Sequence, residues 1–177
     1  MNQELPKRKK NRLENYDYSS NGMYFITICT KNRTNLFWTK EQPDFVGEDI
    51  ILPPNHINLS AYGKIADEII KSIPNHYTFI EIPLYVIMPN HIHLLLFIPY
   101  ECGRIISSPT NANENSKSIS TIIGQMKRTI SKKIGIPIWQ KSFHDHIIRS
   151  KKDYEEISKY IYENPIKWQS DCFYTNE

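Results

Sequence analysis

The chain has 177 residues, 40% of them hydrophobic, 12% aromatic and 23% charged, which suits one well-buried domain and excludes global disorder. No stretch reaches the roughly 18 apolar residues of a membrane span and the N-terminus lacks the apolar core of a signal peptide, while Cys29, Cys102 and Cys172 match neither a disulfide framework nor a CxxC zinc site; a cytoplasmic protein without membrane contact is expected. The formal charge of +3 is uneven, with Lys7, Arg8, Lys9, Lys10 and Arg12 against Glu4 alone, and with Lys117, Lys127, Arg128, Lys132 and Lys133 in a stretch free of acidic residues; such clusters suit phosphate neutralisation or a solvated surface equally well.

A basic segment over 1–15 precedes the first strand, read at Met23–Thr30 from its β-branched and aromatic residues after the turn-like Ser19-Ser20-Asn21-Gly22. Residues 39–58 carry three prolines and read as an irregular connection with a short strand near Ile50-Ile51-Leu52. Ser60 opens a helix whose apolar positions Ile65, Ala66, Ile69, Ile70 and Ile73 recur at helical spacing, with Pro74 closing it. Alternation returns from Tyr77 to Met88, and Met88-Pro89-Asn90 turns the chain into a strand beginning at His91. Residues 99–116 read as a long mobile loop. A second amphipathic helix carries Ile119, Ile122, Ile123, Met126 and Ile130 on one side and ends at Gly135 and Pro137. A strand spans Trp139 to Ile148, and Ser150 with Asp153 forms a capping box for the last helix. Helices inserted between antiparallel strands predict a single α+β domain over 1–177, a ferredoxin-like single antiparallel sheet with packed helices.

The chemistry concentrates in two segments. In Pro89-Asn90-His91-Ile92-His93 the two imidazoles sit two residues apart on a strand, so both point to one face while Ile92 points to the other. Such a pair suits a metal ion, and equally often has no ligand. In Lys159-Tyr160-Ile161-Tyr162-Glu163-Asn164-Pro165 helical spacing puts Tyr160 and Asn164 on nearly one face, beside the stripe of Tyr154, Ile157 and Ile161, and turns Tyr162 away. Pro165 disfavours continued helix at Asn164; the plainer reading of this segment is a packing aromatic and a C-capping asparagine. His144 and His146 repeat the His-x-His spacing and rank second as ligands; His56 and His76 need no function. Arg149, at a strand end, meets either phosphate or a surface partner.

Taken in order, Tyr24-Phe25-Ile26-Thr27, the run from Tyr85 to Leu95, Trp139 to Arg149 and Tyr160 to Pro165 resemble the HUH single-tyrosine transposases, most closely the REP-associated tyrosine transposases, over most of the chain. The resemblance implies Tyr160 as nucleophile, His91 and His93 as metal ligands and Asn164 as a third metal-facing group, where insertion-sequence relatives commonly have glutamine. It places His144 and His146 beside the active site and outside the ligand pair. It further implies Mg²⁺, with Mn²⁺ as a substitute, and a 5′-phosphotyrosine formed on single-stranded DNA that bears imperfect, REP-like hairpins. Nucleoid association follows, and a homodimer is compatible with it. Lys7, Arg8, Lys9, Lys10, Arg12, Lys127, Arg128 and Arg149 are the DNA-contact candidates, chosen by charge. The alternatives are a replication initiator or relaxase-like nickase, and a non-catalytic nucleic-acid-binding module.

Overall fold

The protein is described by a computed structural model over residues 16–42, 57–99 and 118–175. In chain order the elements are β1 (Gly22–Cys29), α1 (Ala61–His76), β2 (Glu81–Ile87), β3 (His91–Ile98), α2 (Ile119–Ile134), β4 (His144–Ile148) and α3 (Lys151–Glu163), with single 3-10 turns at Lys31–Arg33 and Trp168–Ser170. The strands form one sheet in the order β2-β3-β1-β4, every neighbouring pair antiparallel. This is the ferredoxin-like arrangement expected from the alternation of elements, with α3 added after β4.

Strand alternation sorts the side chains into two layers. Tyr24, Ile26 and Ile28 of β1 and Ile92, Leu94 and Leu96 of β3 pack against α1 and α2 in the main core. On the opposite face Phe25, Val86 and Leu95 meet Tyr154, Ile157 and Ile161 of α3 and Trp168 beyond it. The stripe read from the sequence is therefore what docks α3, and the sheet is covered on both sides. His91 and His93 alternate with Ile92, so they belong to the α3 face. Lys127 and Arg128 belong to α2, in the other layer.

Each helix begins as its capping residue dictates. Ser60, Ser118 and Ser150 accept from the backbone N–H three residues on, satisfying an orphan amide. Gly135 closes α2 in the left-handed conformation, at φ 89°. Gly63 lies where α1 crosses the 36–38 segment, and a Cβ there would overlap the Phe37 carbonyl oxygen.

Four boundaries differ from those read in the sequence. Pro74 lies inside α1, which runs to His76, because the ring removes one donor in the last turn and the Tyr77 N–H still reaches the Ile73 carbonyl at 2.9 Å. β2 begins at Glu81, since Tyr77 to Ile80 close a turn, and its register shifts around Pro83, which an edge strand tolerates. β4 is confined to His144–Ile148; Trp139 forms only an isolated bridge to Thr30, and the carbonyls of Gln140 and Ser142 are taken by the Lys127 ammonium. Asn164 keeps helical angles (φ −55°, ψ −44°) although Pro165 follows. The strand near Ile50-Ile51-Leu52, the basic segment 1–15 and the loop beyond Pro99 lie outside the described residues.

Candidate metal and nucleophile centre

The turn between β2 and β3 is buried, which is unusual for a hairpin. Pro89 and Asn90 have their carbonyls covered: the Leu36 and Phe37 amides donate to Pro89 O at 2.8 and 3.0 Å, and the Thr30 amide donates to Asn90 O at 2.8 Å. The Asn90 side chain, fully buried, donates through Nδ2 to the carbonyls of Arg33 (3.1 Å) and Phe173 (2.8 Å). Its Oδ1 is thereby the acceptor facing His91 Nδ1 at 2.9 Å. An amide oxygen can only accept, so His91 carries its proton on Nδ1 and turns the Nε2 lone pair inward. The His93 ring is held in place by Thr27 Oγ1, its cross-strand neighbour, 2.8 Å from Nδ1. The two Nε2 atoms converge to 3.0 Å.

Burial, with the Arg33 guanidinium adding to it, pushes His91 down to about 3. Burial and the neighbouring His91 hold His93 well below its ordinary value, against the opposing charge of Asp171. Both imidazoles are thus neutral at physiological pH, the form that ligates metals.

The last turn of α3 brings Tyr160 to this pair, its hydroxyl 3.2 Å from His93 Nε2 and within the same chain. The phenol also donates to Asp171 Oδ2 at 3.3 Å, and the Asn164 amide donates to the same oxygen at 3.0 Å. Burial first, then the Asp171 charge, raises the phenol above its usual range, although the residue is 40% exposed. Tyr162 points elsewhere and lines a groove with Tyr85 and Asp67.

One atom in this cluster is orphaned. Asn164 Oδ1 is buried without a hydrogen-bond partner, while its own Nδ2 is committed to Asp171. A buried unpaired amide oxygen costs about 1–3 kcal/mol, and this one belongs to a side chain tied to Asp171, which groups with the two imidazoles. Ligand atoms of those three residues lie within 4.8 Å of one another. Two neutral imidazoles, a carboxylate and an amide oxygen are a donor set suited to Mn²⁺ and acceptable to Mg²⁺.

Asp171, Thr27 and Arg33 were missed from the sequence. Asp171 arrives on the segment after α3, which carries no regular pattern; its Oδ1 is held by the Phe173 amide at 2.6 Å. Arg33 pins that segment, donating to Cys172 O at 3.0 Å and lying 4.9 Å over the Phe173 ring. Other charge-based candidates lie apart. Lys127 donates to Gln140 O and Ser142 O at 2.6 and 3.1 Å; Arg128 and Arg149 are exposed. His146 pairs with Asp153 at 2.9 Å, and His144 stands across β1 from His93 through their shared neighbour Thr27.

No family model matches the chain. It is 31% identical over 183 aligned positions to an uncharacterised protein of Haemophilus influenzae, covering 96% of this chain and 94% of that one. It is 26% identical over 151 positions to the REP-associated tyrosine transposase of Escherichia coli, covering 85% of this chain and 70% of that one. A solved REP-associated tyrosine transposase bound to a REP hairpin shares the fold, with a TM-score of 0.54 at 21% identity over 84% of this chain and 68% of the other. Among the described residues no helix is long and apolar enough to cross a membrane. The ordered motifs and these relatives agree: the chain is similar in sequence to REP-associated tyrosine transposases and shares the fold of the solved one.

Proposed function

We propose that this chain is a metal-dependent transposase that nicks and rejoins single-stranded DNA bearing REP-like hairpins, with Tyr160 as nucleophile. The observation that carries the reading is the meeting of the Tyr160 hydroxyl with two inward-facing imidazoles and Asp171. His91, His93 and Asp171 would hold the ion, with Asn164 Oδ1 as the fourth donor. The ion, Mg²⁺ or Mn²⁺, would supply charge stabilisation at the scissile phosphate.

The chain's own residues account for the rest. Asn90 sets the tautomer of His91, and Thr27 holds the ring of His93. Asp171 accepts the Tyr160 hydrogen bond and aims the phenol oxygen. Attack forms the Tyr160 O–P bond and breaks the P–O3′ bond; the phenolic proton is lost and the leaving 3′ oxygen gains one. The product is a 5′-phosphotyrosine and a free 3′-hydroxyl. Because one phosphodiester replaces another, bond energy is retained for rejoining without a nucleotide cofactor.

The domain spans 1–177 in this reading. Its basic segment, with Lys7, Arg8, Lys9, Lys10 and Arg12, and the exposed Arg128 and Arg149 would meet DNA phosphates. The phenol and imidazoles meet within one chain, so catalysis does not require a dimer.

The test is incubation of a labelled hairpin strand from the flank of the chain's own gene with Mg²⁺ or Mn²⁺, run on a denaturing gel. A covalent adduct is expected from the native protein and from Tyr162→Phe. None is expected with chelator or with His91→Ala. An adduct that persists in chelator would overturn the metal-dependent reading.

A further inference from the structure

Beside the catalytic cluster, with Trp168 as the shared wall, lies an open cavity of about 520 Å³. Trp168 stands 6.0 Å from the His91 ring on one side and 6.3 Å from Trp38 on the other, the two indoles tilted at 55°. Trp38 is fixed by its N–H on the Ile87 carbonyl at 2.6 Å. Pro165, directly after the Asn164 of the site, adds apolar wall; Asn35, Gln169 and Lys40 bring polar groups.

We propose that this cavity holds one unpaired nucleobase of the DNA strand, adjacent to the phosphate that Tyr160 attacks. The proposal rests on the nicking function above and assigns part of its sequence preference. Three observations single out a base. The volume lies within the roughly 300–1,000 Å³ of small-ligand sites. Trp38 and Trp168 both line the cavity and offer aromatic surface on which any base can stack, and amides at Asn35 and Gln169 supply donor and acceptor groups that can read base edges. The lining contains a lysine and no carboxylate, whereas the grooves at Asp67 and at Glu41 each carry an acid that a polyanion would avoid. Position makes the assignment specific. Trp168, 6.0 Å from the buried His91 ring, is the wall that the cavity shares with the site, so a base next to the phosphate at Tyr160 would meet Trp168.

The experiment uses the full chain carrying Tyr160→Phe, so that binding is read without cleavage. The probe is the fluorescent hairpin strand from the gene's own flank, with each nucleotide of its single-stranded extensions replaced in turn by an abasic site. Anisotropy titration is expected to find one position where base removal weakens binding about tenfold. That penalty should shrink to less than about twofold when Trp168→Leu is added, because the stacking partner is then already missing. Gln169→Ala, an exposed change that leaves the fold intact, should alter which base is preferred at that same position. If hairpin binding is retained but no position matters, or the penalty persists in Trp168→Leu and Gln169→Ala leaves the preferred base unchanged, the base pocket is overturned while the nicking function stands. If the positional penalty appears but the native protein forms no adduct, the pocket stands and the catalytic reading falls. If the hairpin strand is not bound at all, both fall.

Discussion

Asn90 offers the sharpest separation between holding the fold and tuning the proposed metal centre. Its buried amide makes three close hydrogen bonds, one to His91 Nδ1 at 2.9 Å and two to carbonyls at 3.1 and 2.8 Å, and a long one to Thr175 Oγ1 at 3.5 Å. At about 1 kcal/mol net each, Asn90→Ala should cost about 3 kcal/mol of stability. It also releases the tautomer of His91, and loss of such an outer partner lowers metal affinity about 10–100-fold. Asn90→Asp keeps an acceptor for the His91 N–H but loses both donors. It should fall in stability at least as far as the alanine variant yet hold Mn²⁺ within about tenfold of the native protein, an acceptor at Nδ1 being what orients the ligand. Urea unfolding gives the first quantity and calorimetric Mn²⁺ titration the second. The reasoning is refuted if Asn90→Ala binds Mn²⁺ as the native protein does, or if Asn90→Asp loses as much metal affinity as Asn90→Ala.

Acid should destabilise the metal-free protein in a defined window. His91 is held at about 3 when folded and returns to about 6.5 when unfolded, so below that value the unfolded chain binds a proton that the folded one refuses. Stability is fully present above pH 6.5 and should fall by about 2 kcal/mol for His91 alone between pH 6.5 and 5; urea unfolding at the two values checks this, and His91→Gln should lessen the dependence and leave the share that His93 contributes. Gly63→Ala should cost about 3 kcal/mol in thermal or urea unfolding, because the added Cβ meets backbone oxygen that cannot swing away. Lys127→Met should lower stability by about 1–3 kcal/mol by leaving Gln140 O and Ser142 O unpaired, while hairpin affinity measured by anisotropy stays unchanged.

The fold was legible because periodicity and caps agreed at each step. Alternation in β1 and β3 assigned Ile92 to one layer and the two histidines to the other, and the 160–164 spacing selected Tyr160 over Tyr162. Boundaries slipped where a tertiary contact overrode a local signal, as when the Lys127 ammonium took the carbonyls at 140 and 142 from a longer β4. The site was legible only where its residues share an element. Asp171 comes from irregular chain after α3 and is placed by Phe173 N, Arg33 and Asn90, none of them near it in a repeating pattern. Charge alone does not mark the side chains that build the site: Lys127 is committed to backbone carbonyls, whereas Arg33, outside both basic clusters, pins the segment that carries Asp171.

The most direct test is to identify the residue that carries DNA after reaction with the hairpin strand and Mg²⁺, by protease digestion and mass spectrometry of the adduct. The account predicts a single modified peptide with the strand's 5′-phosphate on Tyr160, and no adduct from Tyr160→Phe. A strand attached at Tyr162 or at any other residue, or a 3′-phosphate linkage, would contradict it.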